Sequence, residues 1–356
     1  MATSTGKPGV CLATLGPAAT NLVTGVTQAY LDRSPVIAIS GQLPEDRLAS
    51  APHQSVRLLD LFSPVTKWVQ RVLPVNAQEV VSRAISVATE ERPGPVYLEV
   101  PSDVPRRQYT GDLLPRILSR TSTGEVDQNL LAEVLGAIRE AKKPLVLAGL
   151  GVKRQDAHHE LLALAEKLGV PVIVTPKAKG VVPEDHDLLV GTIEMLGTSY
   201  LYEMIQACDL VIAVGLDAVE LDRPWSSQAP VIHIDVVPNL DHYFQSAWDL
   251  VGPMKRVLSM VESAVEPNGR WSWEPIRTYR EELSQLVRPA MAGLCPHHVL
   301  DAMREVAPLD TILATDVGAH KMACGQYWEA YEPGRFLVSN GLSSMGYGLP
   351  AALAAN

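Results

Sequence analysis

Short apolar runs rich in Val, Ile, Leu and Ala alternate with longer amphipathic stretches from residue 9 onward, and the alternation restarts twice along the chain. Such runs lack the every-other-residue polarity of a half-exposed strand, so each reads as a strand buried on both faces. Buried strands alternating with amphipathic helices require a parallel sheet covered by helices on both sides. In the first stretch the strands fall at 9–15, 34–41, 65–72 and 94–101. A helix follows Gly16 with Pro17 in its first turn, and a second runs over 76–91, where Asn76 and Glu79 have capping-box spacing. In the second stretch 144–151, 170–175, 209–215 and 230–235 read as strands. Its helices are 127–143, 158–169, ended by Gly169, and 253–265. A polar helix is expected over 276–288. The third stretch offers only two strands, 311–316 and 335–340. The expected fold is α/β, with three doubly wound parallel-sheet units, the outer two incomplete. The expected divisions are 1–105, a linker at 106–125, a central unit at 126–266, a linker and helix at 267–290, and a last unit at 291–356.

Apolar residues make up 47% of the chain and charged residues 20%, which is enough to bury a core. The formal net charge of −10 offers no basic footprint for a phosphate backbone, so no nucleic-acid partner is expected. Cys11, Cys208, Cys295 and Cys324 form no Cys-x-x-Cys pair and read as reduced thiols of a cytoplasmic protein. The opening "MATSTGKPGV" lacks the pattern of a signal peptide and no apolar run reaches spanning length, so no membrane partner is expected.

Three turns stand where open α/β sheets bind ligands. "AGLGVKRQD" (148–156) follows a strand and precedes a helix, but it reads G-x-G-x-x-R. Arg154 replaces the glycine that lets helix and strand pack closely, so a plain tight turn is expected there rather than a dinucleotide site. "TLGPAATN" (14–21) sets Gly16 and Pro17 between a strand end and a helix start, where backbone N–H groups face an anion or a polarised carbonyl. "DVGAHKM" (316–322) repeats the arrangement, with Gly318 turning the chain and His320 and Lys321 in the first helical turn, a setting suited to a phosphate or diphosphate. The pairs His158–His159 and His297–His298 have no acidic or cysteine partner at ligand spacing, and no metal site is expected from them. Neither a Ser-His-Asp order nor a G-x-S-x-G elbow is present.

Taken in order, "GKPGVCLATLGPAATN", "VIAISGQLP", "ERPGPVYLEVPSDV", "DLVIAVG", "VIHIDV", "DVGAHKM" and "NGLSSMGYGLPAALAA" resemble the thiamine-diphosphate-dependent enzymes of the acetolactate synthase and pyruvate oxidase family. The resemblance runs over nearly the whole chain. It implies a pyrimidine-binding domain, a central domain that binds FAD or a nucleotide in some members, and a diphosphate-binding domain. It also implies a homodimer or homotetramer with active sites between subunits, Mg2+ on the diphosphate, and a 2-oxo acid as substrate.

Carried over by position, Met345 matches the bulky apolar residue that wedges under the cofactor and bends it. Backbone around Leu342, Ser343 and Met345 matches the aminopyrimidine contact, and Gly341 and Gly346 the room left for the ring. Gly318, His320 and Lys321 fall at the diphosphate contact. Gly16 with Pro17 falls on the substrate side, beside loops holding Gln42, His53 and Gln54.

The departures are as informative. Ala18 replaces the second glycine of G-P-G. Leu216 and Asp217 stand where acetolactate synthases carry an arginine, with Arg223 further along, which counts against acetolactate synthesis proper and against FAD. The loop at 175–186 also differs, and its Lys177 and Lys179 suit an anion. The family's activating glutamate and its G-D-G…N metal motif would lie outside these 356 residues. The chain therefore reads as a fragment with little activity alone. Three readings stay open: a synthase-like carboligase, a 2-oxo acid decarboxylase, and a non-catalytic remnant that keeps a flavin- or nucleotide-binding central domain.

Overall fold

The computed structural model describes residues 2–48, 50, 53–109, 126–222, 227–240, 243–267, 274–289 and 292–355. Arg223 and most of both expected linkers lie outside the described residues. The chain divides into two units, Met1–Thr121 with Gly341–Ser344, and Ser122–Asn340 with Met345–Asn356.

The first unit runs α1 (Ala2–Thr5), β1 (Gly9–Ala13), α2 (Pro17–Leu31), β2 (Val36–Gln42), α3 (Leu58–Phe62), β3 (Trp68–Arg71), α4 (Ala77–Thr89) and β4 (Pro95–Pro101). Its strands pair in parallel in the order β1-β2-β4-β3. Two cores flank this sheet. Val80, Ala84 and Ala88 of α4 pack against Val96 and Leu98, while Ala19 and Val26 of α2 join Phe62 and Tyr97, whose rings stack at 3.9 Å. The capping box expected at Asn76 and Glu79 does not form. The Asn76 carboxamide oxygen instead accepts the Leu73 N–H at 2.8 Å, closing the turn before α4. An asparagine near its own preceding backbone has this competing choice, which spacing alone does not reveal.

The second unit runs α5 (Gln128–Glu140), β5 (Pro144–Ala148), α6 (Leu150–Arg154), α7 (His158–Leu168), β6 (Val172–Val174), β7 (Leu189–Thr192), α8 (Thr198–Ala207), β8 (Leu210–Val214), β9 (Val231–Asp235), β10 (Trp248–Val251), α9 (Met254–Ala264), α10 (Ile276–Val287), α11 (Pro296–Val306), β11 (Leu313–Ala314), α12 (Ala319–Tyr327), β12 (Phe336–Leu337) and α13 (Gly348–Ala355). Its main sheet is parallel throughout, in the order β10-β9-β8-β5-β6-β7. The order reverses between β5 and β8, which makes the carboxyl ends of those two strands the switch point of a doubly wound sheet. α5, α7 and α9 bury one face with Val134, Leu161, Leu164, Val257 and Val261.

The other face is covered by α8 and by the last third of the chain. Leu283, Leu300, Tyr327, Trp328 and Phe336 share one core with Leu145, Leu147, Val211 and Ala213. β11 and β12 form a separate two-stranded parallel pair. All three sheets are parallel, in line with the expected α/β class. β7, α8 and β10 carry too short or too polar a pattern to stand out in sequence, and β11 and β12 are shorter than their apolar runs suggested.

Candidate functional site

In the second unit the sequence around Asp316 builds a small rigid platform. Asp316 follows β11, and its carboxylate accepts N–H groups from Val317 at 2.7 Å, Gly346 at 2.8 and 3.0 Å, and Gly348 at 3.3 Å. These donors hold its pKa below the usual carboxylate range. One carboxylate therefore ties the start of α12 to the turn that precedes α13. Gly346 sits at φ 89°, a left-handed conformation, with open space where a Cβ would be. Met345 is held out by this turn with 84% of its surface exposed. A large apolar side chain fixed on a hydrogen-bonded turn and facing open space is a contact waiting for an apolar partner.

Gly318, at φ 143°, is the N-cap of α12, and the exposed His320 ring folds back over it, 3.1 Å from where a Cβ would stand. The first N–H groups of a helix have no intrahelical acceptors, so this end of α12 receives anions readily. Gly318, His320, Met345 and Gly346 are thus brought together. Lys321 is turned inward: it is buried, and its ammonium donates to Asn340 at 3.3 Å. Asp316 was not among the residues singled out in the sequence, although it opens the "DVGAHKM" motif.

In the first unit Gly16 has φ 65° and ψ −127°, and Gln54 packs directly over it, 3.0 Å from the missing Cβ. The neighbouring His53 is exposed. Gln42 ends β2 and is buried, donating to Val56 at 3.0 Å and to Glu99 at 2.9 Å, so it anchors the 53–57 loop to the sheet end. Glu99 in turn pairs with Arg71 at 2.7 Å. Gln42, Arg71, Glu99 and residues 55–60 line a cleft of about 370 Å³. Sequence reading missed Arg71, the last residue of β3, and Glu99 within β4.

Ser343 stands at φ 52°, and Ser344 N–H donates to Gln28 at 3.4 Å. Gly341 N–H donates to Asp32 at 2.9 Å, and a Cβ on Gly341 would stand 2.5 Å from the Leu31 carbonyl oxygen. The space where a Gly341 side chain would stand is therefore taken by the end of α2. Leu342 lies between these contacts.

The switch point of the central sheet is filled by the chain itself. Gly149 and Gly151 press on the loop after β8, Gly151 N–H donating to the Gly215 carbonyl at 2.8 Å. The Glu220 carboxylate caps α6, accepting Leu150 N–H at 2.9 Å and Asp217 N–H at 3.1 Å together with the Thr175 hydroxyl. Burial pushes its carboxyl up to about 7. The helix start where a nucleotide phosphate would sit already holds an acidic side chain, so these residues do not fit a flavin or nucleotide diphosphate at this point. Lys179 likewise meets an anion from the chain itself: it is buried and paired with Glu184.

One histidine pair has a cysteine neighbour in space that its spacing does not show. Cys295 lies with His297 and His298, and one ligand atom from each falls within 4.8 Å of the others. Spacing rules for helix interiors missed this cluster, because Cys295 is an extended N-cap and the N3 side chain of a helix curls back toward it.

Comparison with known proteins matches three stretches of the chain. Residues 1–62 match the N-terminal TPP binding domain of thiamine pyrophosphate enzymes, 131–261 their central domain, and 316–356 their C-terminal TPP binding domain. The chain is 35% identical over 99% of its length to a probable acetolactate synthase large subunit of Methanocaldococcus jannaschii, covering 64% of that protein. It is 34% identical over 99% of its length to the acetolactate synthase large subunit of Corynebacterium glutamicum, covering 58% of it. With the isozyme 1 large subunit of Escherichia coli it shares 30% identity over its full length, covering 64% of that relative. The chain thus spans less than two thirds of the length of these curated relatives. Among the described residues no helix is long and apolar enough to cross a membrane.

Proposed function

Because this chain belongs to the thiamine pyrophosphate enzyme family, we propose that it serves thiamine-diphosphate-dependent decarboxylation of a 2-oxo acid with transfer of the remaining two-carbon unit, as an acetolactate synthase-like carboligase. The observation that carries this reading is the Asp316 platform, where one carboxylate fixes both the Gly318 helix start and the turn presenting Met345. When bound, the cofactor supplies a carbon nucleophile for the keto carbon and an electron sink as carbon dioxide leaves.

The chain's own residues do the holding. The α12 N-terminus takes the diphosphate, and Gly318 keeps the approach free of a Cβ. Met345 presses an apolar, hydrogen-bond-free surface against the ring system. Gly16, under Gln54, and the Gln42-anchored 53–57 loop present backbone N–H and amide groups on the substrate side. Mg2+ belongs with the diphosphate, while Asp316 accepts three N–H groups and holds the turn. Flavin has no place in this reading, since Glu220 occupies the switch point. The names of the relatives favour a synthase over a simple decarboxylase, and the working assembly is a homodimer or homotetramer.

A chimera tests the reaction without depending on activity of these residues alone. Residues 1–356 replace the matching span of the Methanocaldococcus relative, and carbon dioxide release from pyruvate is measured with and without thiamine diphosphate and Mg2+. Release that requires both is expected. A folded chimera that binds the cofactor and stays inert toward a panel of 2-oxo acids would overturn the proposal.

A further inference from the structure

We propose that Cys295, His297 and His298 form a binding site for a thiophilic transition-metal ion such as Zn2+, separate from the thiamine diphosphate platform. The three side chains come from the first turn of α11. Cys295 is the N-cap in extended conformation (φ −104°, ψ 156°), Pro296 fixes the first helical position, and His297 and His298 follow. This geometry throws the sulfur over the helix end, where the His298 ring folds back. The Cys295 N–H donates to His298 Nδ1 at 3.1 Å, so that nitrogen carries a lone pair directed at the cysteine. His297 is held by ring contacts, with His298 at 4.2 Å and with Tyr327 of α12 at 5.6 Å. Tyr327 is itself fixed by its hydroxyl on the Val287 carbonyl and by the Arg288 guanidinium 5.1 Å from its ring. Arg288 is paired with Asp301 at 2.6 Å, so its charge is balanced beside the cluster.

The donor set chooses the metal class. One thiolate and two imidazoles suit Zn2+, Co2+ or Cu+ and give no purchase to Mg2+ or Ca2+, which require oxygen. Tetrahedral Zn–S and Zn–N bonds of about 2.3 and 2.0 Å draw the ligand atoms to within roughly 3.3–3.5 Å of one another. The ligand atoms, within 4.8 Å of one another, need only side-chain rotation to close on an ion. Binding releases the thiol proton to solvent and replaces the Cys295 N–H at His298 Nδ1 with the metal. Cys295 and His297 are buried while His298 is exposed. A fourth position therefore opens to water, as in sites that bind an external ligand rather than closed structural ones.

The test is a Co2+ titration of the full chain under reducing conditions. The expected result is a thiolate-to-cobalt charge-transfer band with visible d–d bands of a tetrahedral ion, saturating at one equivalent and displaced by Zn2+ but not by Mg2+. Cys295→Ser should abolish the charge-transfer band and weaken binding by roughly tenfold or more, while Cys324→Ser should leave both unchanged. Absence of the band in the wild-type chain, or its persistence in Cys295→Ser, would overturn the proposal. The wild-type spectrum decides even if a variant fails to fold.

Discussion

The two large sheets are both parallel, yet they are buried very differently. Every residue of β5, β6, β8 and β9 in the second unit is buried. In the first unit β1 alternates, leaving Val10 67% and Leu12 77% exposed, and α4 also exposes Val81 and Ile85. A sheet closed on both faces gains from every strand residue, whereas an edge strand with one open face gains from half of them. Stability should therefore be concentrated in the central sheet and lowest at β1.

Paired substitutions test that contrast most strongly. Ile212→Ala in β8 should cost about 2–5 kcal/mol in denaturant unfolding, while Leu12→Ala in β1 should change stability by about 0.5 kcal/mol or less. Similar costs for the two would dissolve the comparison.

The sheet ends differ as well. Glu99 of β4 meets Arg71, whereas the partners of Glu220 are N–H and O–H donors. With a folded-state value of about 7 against an ordinary 4.5, Glu220 binds its proton more tightly in the folded chain. Its contribution is complete below about pH 4.5 and is lost as pH rises through 7, a swing on the order of 3 kcal/mol. Glu220→Gln should flatten that part of the stability–pH profile, and an unchanged slope would refute the assignment. Asp316→Ala should loosen the Met345 turn and weaken thiamine diphosphate binding about tenfold, or about 1.4 kcal/mol, as read by calorimetry. Met345→Ala should move stability by less than about 0.5 kcal/mol, since its side chain touches little of the chain itself.

Much of the fold was legible because buried parallel strands announce themselves. "VIAISG", "PLVLAGLG" and "DLVIAVG" are apolar at nearly every position, and each forms a strand. β7 and β10 were not legible: "LVGT" and "WDLV" are short and mixed, and only their neighbours in the sheet define them. Gly318, His320, Met345 and Gly346 stand out in the motifs, but the contact that holds the two turns together does not. Asp316 serves them through backbone N–H groups, which any sequence supplies. Glu220 was hidden in the same way, since its partner α6 lies 70 residues away in sequence. The close approach of α2 to Gly341 was hidden as well, because a glycine that admits a ligand and one that admits another backbone look identical in sequence.

The proposed role of the Gly318 helix start and the Asp316-bound turn is to hold thiamine diphosphate. Calorimetric titration of the chain with thiamine diphosphate and with thiamine, in Mg2+ buffer, tests it directly, alongside Gly318→Val. The expected result is binding of one thiamine diphosphate per chain, weak or absent binding of thiamine, and loss of binding in Gly318→Val, where the β-branched side chain is strained at φ 143° and stands before the α12 N-terminus. Equal affinity for the two ligands, or undiminished binding by a folded Gly318→Val chain, would contradict it.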